Sequence, residues 1–235
     1  PIRYREKLSK INITRGKGFL VWFHVASVGE AMSILPLIDS FIEDKKIDRI
    51  LITSITLSSG KILEKRFSEN QKINHQFLPL DITSLVKKFL EHWKPNLAIF
   101  IDSEIWPNLI SKISENKIPL LLVNARITKK SFNRWRFSKD FAKKIFEKFD
   151  LCIASNKESE DFLKVLGSKN DDIGISIATI NTLGAFSIFL IPLLLLNFFR
   201  IPFKIDWVWS DSGFDPGLKV SIIATVSMFF EIKSP

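Results

Sequence analysis

Residues 1–170 predict an α/β protein, with a parallel sheet covered by helices on both faces. Two observations carry this. Apolar runs of strand length recur along the chain, and segments with helical periodicity separate them. The runs are also continuously apolar rather than alternating, as expected of strands buried on both sides.

Gly18–Val25 is the first such run. From Glu30, the apolar residues Ile34, Leu35, Ile38, Phe41 and Ile42 fall on one helical face. Pro36 interrupts that face and predicts a late start or a bend. Arg49–Thr56 reads as a strand, followed by a Ser58-Ser59-Gly60 turn and a helix to Phe67. His75–Pro79 is a short strand, Ser84–His92 a helix, Leu97–Ile101 a strand and Ile105–Ser114 a helix. Pro119–Val123 is a further strand, Arg126–Arg136 a basic loop and Lys139–Lys148 a helix. Leu151–Ser155 completes the strands, and Glu158–Leu166 is a helix that Gly167 is suited to end.

The chain has 235 residues with one Cys, 46% hydrophobic residues and a formal net charge of +9. One Cys excludes an internal disulfide framework and a Cys-rich zinc site. The apolar content excludes a disordered chain. Residues 171–235 hold four Lys/Arg and six Asp/Glu, so residues 1–170 hold the other 30 and 19, a net of +11. The positive excess therefore belongs to the first part and calls for an anionic partner. The chain begins at Pro1 rather than Met, as expected of a fragment or a processed form.

Residues 171–235 break the alternation. Ile173–Phe199 is 27 residues without a charge, long enough to span a bilayer, with Trp207 and Trp209 beyond it. The segment is a candidate transmembrane span. A buried core hairpin and a frame artefact are the alternatives.

Ligands of parallel α/β sheets lie at the C-terminal ends of the strands, and three motifs fall there. Ser27-Val28-Gly29-Glu30 fits a capping box. It also fits a site in which Gly29 admits a ligand to the backbone and Glu30 takes a proton from a hydroxyl. Asp102 and Glu104 follow the strand at Leu97–Ile101. If the strand persists, both face one cleft and raise each other's pKa; otherwise they complement a helix dipole. Arg126, Lys129, Lys130 and Ser131 belong to a basic stretch interleaved with aromatics, suited to phosphate or carboxylate, with RNA as an alternative. His24, His75 and His92 lack metal spacing, and His24 reads as a packed core residue.

These motifs, in this order, resemble the 3-deoxy-D-manno-octulosonic acid (Kdo) transferases of lipopolysaccharide synthesis. The shared stretches are Trp22–Glu30, Leu78–Asp81, Phe89–Leu97, Ser103–Leu109 and Asn124–Phe132. The resemblance covers residues 2–167 and implies the Rossmann-like N-terminal half of a two-domain GT-B glycosyltransferase. Tyr4–Leu8 looks like the segment that follows the family's N-terminal membrane anchor. The implied reaction passes Kdo from CMP-Kdo to a lipid A precursor, with inversion and without metal or cofactor, at the cytoplasmic face of the bacterial inner membrane. Glu30 would be the base. Asp102 and Glu104 would also act in the site, and Ser27, Gly29, Arg126, Lys129, Lys130 and Ser131 would hold the acceptor. The charge would then serve lipid phosphates and anionic membrane rather than nucleic acid.

Two departures accompany the resemblance. The family pattern places a functional Glu where Asp102 stands, one methylene longer. After Gly167 the family's Gly-Asn-Leu-Lys stretch and donor-binding domain have no counterpart, so this chain is expected to be inactive alone. A non-catalytic, membrane-anchored acceptor-binding module is the other class of function, and an RNA-binding α/β domain a third.

Overall fold

A computed structural model describes residues 2–168. The candidate span and the rest of the tail lie outside the described residues. Among the described residues, no helix is long and apolar enough to cross a membrane.

Six strands form one sheet: β1 (Leu20–His24), β2 (Arg49–Ser54), β3 (Ile73–Phe77), β4 (Leu97–Ile101), β5 (Leu120–Ala125) and β6 (Leu151–Ala154). Their order is β3-β2-β1-β4-β5-β6, and every neighbouring pair is parallel. The chain thus builds outward from β1 to β3, then crosses back to place β4 on the other side of β1. That reversal between β1 and β4 opens a crevice at the C-terminal ends of the two strands.

Between the strands run α1 (Val28–Ser33), α2 (Leu35–Glu43), α3 (Leu57–Phe67), α4 (Thr83–Trp93), α5 (Pro107–Glu115), α6 (Lys129–Phe137), α7 (Lys139–Phe146) and α8 (Lys157–Leu166). Successive side chains of a strand point to opposite faces, so β1 feeds two cores. Trp22 joins Phe89, Trp93, Phe100, Ile110 and Phe146 on one face. Val21 and Phe23 join Ile38, Phe41, Ile52 and Leu63 on the other. The fully buried Trp22 ring lies 5.0 Å from Phe89 and 5.2 Å from Phe100, in tilted and edge-on geometries.

The bend predicted at Pro36 is present. Ile34 ends α1 and precedes α2, whose first turn holds the proline, where its missing N–H costs nothing. Gly167 ends α8 at φ 104°, and a side-chain carbon there would meet Lys143 Cγ at 2.9 Å. A larger residue at position 167 is both strained and crowded.

Two local expectations are corrected, and one element was not anticipated. The stretch 126–136 is not a loop: Lys129–Phe137 is helix α6, with Thr128 Oγ1 accepting the Ser131 N–H at its start. Only Phe132 of that helix is buried, so its apolar period is too sparse to read. Strand β3 begins at Ile73, two residues before the expected His75. It is an edge strand whose polar Asn74, His75 and Gln76 hide the apolar signal. Unpredicted, a 3-10 helix at Ile2–Leu8 packs on β3.

Candidate functional site

The crevice is bounded by the segments that leave β1 and β4, with the segment after β5 one strand further along. Glu30 sits in the first turn of α1, just beyond β1. Its Oε2 accepts the Ala26 N–H at 2.7 Å, and its Oε1 accepts the Ser27 hydroxyl at 2.8 Å. Ser27 Oγ in turn accepts the Glu30 N–H at 3.2 Å. Ser27 caps the helix as a capping box requires, but Glu30 reaches back to the N–H of Ala26, one residue before the cap, and to the Ser27 hydroxyl. These bonds do not exhaust the carboxylate, because each oxygen has a second lone pair for an incoming proton. Gly29 is exposed, and a side-chain carbon on it would meet only Ser27 Oγ, at 3.9 Å. Neither packing nor backbone conformation requires a glycine there; its absent side chain leaves the first turn open from outside.

The second motif does not continue as a strand. Beta-strand β4 stops at Ile101, and Asp102 adopts φ 62°, a left-handed conformation that favours Asn and Asp among non-glycine residues. Its N–H still bonds Val123 O at 3.0 Å. The expectation that alternation along a strand aligns Asp102 with Glu104 thus fails: a turn, not a pleat, places them. Burial is the main reason the Asp102 carboxyl titrates above the usual range. Arg126 and a hydrogen bond with Ser103 oppose the rise, and Glu104 adds to it only as the smallest contribution. The mutual repulsion expected of the pair is therefore present but minor.

Glu104 Oε2 accepts the Nε1–H of Trp106 at 2.8 Å. The same Oε2 lies 3.3 Å from His24 Nε2. His24 is wholly buried, as expected of a core residue, but its contact with a site carboxylate was not legible from the sequence.

Arg126 stands exposed after β5, and Lys129 and Lys130 occupy the first turn of α6. No acidic residue shares that turn, so helix dipole and side chains present one sign of charge. Ser131 is half-buried, and its N–H serves the Thr128 cap. Neighbouring strands lie about 5 Å apart, so the end of β5, from which this turn follows, stands two strands, about 10 Å, from the end of β1. Among the described residues, no three His, Cys, Asp or Glu side chains gather as metal ligands.

Asp81 is a residue whose role the sequence reading missed. Its Oδ1 accepts the Leu109 N–H at 2.8 Å and its Oδ2 the Asn108 N–H at 3.1 Å. The Asn108 side-chain amide donates to Asp81 O at 2.7 Å. Helix α5 has no side-chain cap of its own, since Trp106 fills the cap position. A carboxylate from the loop after β3 supplies it instead. Asp81→Ala is expected to lower unfolding stability by about 2 kcal/mol in urea, with Asp81→Asn recovering part of the loss. Equal stability of both variants and the unsubstituted chain would remove this role.

The fold and the site define a doubly wound α/β domain with carboxylates at its switch point and a basic turn one strand further along, the place where such sheets take ligands. Residues 2–179 match the model of the 3-deoxy-D-manno-octulosonic-acid transferase (kdotransferase) family, and the chain belongs to that family. The 3-deoxy-D-manno-octulosonic acid transferase of Rickettsia bellii is 38% identical over 168 residues, 72% of this chain and 40% of that protein. A probable mitochondrial 3-deoxy-D-manno-octulosonic acid transferase of Arabidopsis thaliana is 41% identical over 57% of this chain and 29% of its own length. The Haemophilus influenzae 3-deoxy-D-manno-octulosonic acid transferase is 26% identical over 74% of this chain and 42% of its own. The chain thus spans less than half the length of these curated relatives. A UDP-GlcNAc 2-epimerase structure from Neisseria meningitidis, bound to UDP-GlcNAc, is similar at 15% identity with a TM-score of 0.47, over 77% of this chain and 54% of that one. At that level the similarity carries no functional argument.

Proposed function

We propose that this chain is the acceptor-binding, N-terminal part of a GT-B Kdo transferase of lipopolysaccharide biosynthesis. The reaction passes Kdo from CMP-Kdo to a lipid A precursor. The observation that carries the proposal is Glu30, in the first turn after the central strand, with its carboxylate oriented by Ala26 N–H and Ser27 O–H. There it takes the proton of an acceptor hydroxyl as that oxygen attacks the anomeric carbon of Kdo. CMP leaves from the opposite face, so the centre inverts. The base is a carboxylate and the reading assigns no metal to this step.

The phosphates of the acceptor fall to Arg126, Lys129 and Lys130, with Ser131 beside them. Asp102 and Glu104 lie between that turn and Glu30 in the strand order, where they meet sugar hydroxyls. The setting is the cytoplasmic face of the bacterial inner membrane, whose anionic lipids suit the net charge of residues 1–170. The family match ends at residue 179, and the 235-residue chain assayed alone is expected to give no turnover.

Binding tests the acceptor half directly. An acylated, bisphosphorylated glucosamine disaccharide should bind this chain with an affinity that falls as salt rises. Reversing charge at Lys129→Glu and Lys130→Glu together should weaken binding at least about tenfold. Binding unaffected by the pair sinks the assignment of the basic turn. Tighter, salt-sensitive binding of RNA in the same assay would favour the nucleic-acid reading instead.

A further inference from the structure

We propose that His24 is a positioning residue of this site: it holds Glu104 by one carboxylate oxygen so that the other remains available to a substrate hydroxyl. The proposal rests on the function read above and adds a residue to it.

His24 closes β1 and is wholly buried. Its Nδ1 lies 2.9 Å from Thr53 Oγ1 and 3.3 Å from Thr53 O. Its Nε2 lies 3.3 Å from Glu104 Oε2, and its ring meets Phe100 edge-on at 5.1 Å. Two indoles limit where the protons can be, because an indole N–H only donates. Trp22 Nε1 donates to Thr53 Oγ1 at 2.8 Å, and Trp106 Nε1 donates to Glu104 Oε2 at 2.8 Å.

The Thr53 hydroxyl then has two choices. It donates to His24 Nδ1, which leaves a neutral imidazole with its proton on Nε2. Or it donates to Phe23 O, 3.3 Å away, and His24 donates from both nitrogens. Either way Nε2 carries a proton and donates to Glu104. A proton on Nδ1 alone would set two lone pairs against each other at Glu104 Oε2, 3.3 Å away; a bare Nδ1 sets the same opposition against Thr53 O at 3.3 Å, so the ring that donates from both nitrogens is the arrangement that meets neither.

Glu104 needs this support. It lies two residues beyond the left-handed turn at Asp102, in a segment without regular structure. Backbone regularity therefore does not orient its side chain. Two donors on Oε2, one from the core and one from its own loop, define the carboxylate plane. Oε1 accepts no hydrogen bond from the described residues, and solvent reaches it. A hydroxyl of the acceptor can donate to that oxygen without displacing an internal partner. The buried line from Trp22 through Thr53 and His24 thereby links β1 and β2 to the loop after β4.

Nitrogen-15 NMR of the imidazole of the 235-residue chain tests the proton position. A protonated Nε2 is expected across neutral pH; a bare Nε2 with the proton on Nδ1 overturns the proposal. Binding of a bisphosphorylated glucosamine disaccharide provides the second measurement. His24→Gln, whose amide reaches the Nε2 position, should bind within about threefold of the unsubstituted chain. His24→Asn, which reaches only the Nδ1 position, should lose about tenfold. Combining His24→Asn with Glu104→Gln should cost little more than Glu104→Gln alone, since the two act on one contact. Additive losses, or failure of Gln to rescue, overturn the positioning role. If the unsubstituted chain binds no disaccharide, the function reading fails, and the imidazole spectrum alone decides the role of His24.

Discussion

Under the proposed function, Glu30→Gln is expected to reduce Kdo transfer by about 10²–10⁴-fold when residues of this chain replace the 168-residue stretch they match in the Rickettsia bellii transferase. Acceptor binding should stay within about threefold. The substitution isolates chemistry from structure for a specific reason. A capping box accepts Gln as well as Glu at its third helical position. The Gln carbonyl can still accept the Ala26 N–H, and its amide can donate to Ser27 Oγ in place of the present donation from Ser27. What Gln cannot do is take a proton from a hydroxyl at neutral pH. Glu30→Ala is the contrasting variant: it loses base and cap together, with about 1 kcal/mol of stability. Transfer that survives Glu30→Gln would identify the chain as a binder whose base lies elsewhere.

The second large effect is on stability against pH. His75 lies in edge strand β3, with Nε2 2.8 Å from Ser54 Oγ and Nδ1 3.2 Å from Arg3 Nη2. Burial, and secondarily the Arg3 charge, lower its pKa from 6.5 to about 3. Glu64 Oε1, 3.5 Å from Nδ1, acts the other way, but its side chain is 46% exposed and is shared with Arg3. Burial and Arg3 therefore prevail. An unfolded His75 takes up a proton near pH 6.5, whereas the folded one does so only near pH 3. Through that window the unfolded state binds more protons, so stability is intact above it and falls as pH drops. The His75 contribution lost between pH 7 and pH 4 is about 3 kcal/mol. Urea unfolding at pH 7, 5 and 4 should show a shallower decline for His75→Gln than for the unsubstituted chain. Parallel declines would sink this assignment.

Much of the fold was legible because β1, β2, β4 and β5 are apolar runs buried on both faces and alternate with helical segments, as in a covered parallel sheet. What misled were elements whose stability comes from outside their own apolar period. Helix α6 buries one residue, and β3 hides its apolar ends around Asn74-His75-Gln76. The N-terminal 3-10 helix is held by Arg3 and Glu6 contacts to β3, which no local pattern announces. At the site, Glu30 and its capping partner were legible, since the motif is contiguous. Asp102 and Glu104 were singled out by the motif, but their geometry was not legible, because a left-handed residue at the strand end replaces the expected pleat. Asp81 and His24 act across 27–28 and 80 residues of chain, and hydrogen bonds of that range leave no spacing signal.

The contacts between the N-terminal helix and β3 have a further consequence. Parallel sheets end in strands with unpaired amides, and such a row is a template for another chain. Here the outward N–H of Phe77 donates to Glu6 Oε2 at 2.8 Å, and the N–H of Leu80 donates to Lys7 O at 2.9 Å. The guanidinium of Arg3 also reaches His75 O and covers the Phe77 ring. One short polar segment thus occupies the positions at which a neighbouring molecule would add a strand. Arg3 and Glu6 therefore cover the edge that they brace.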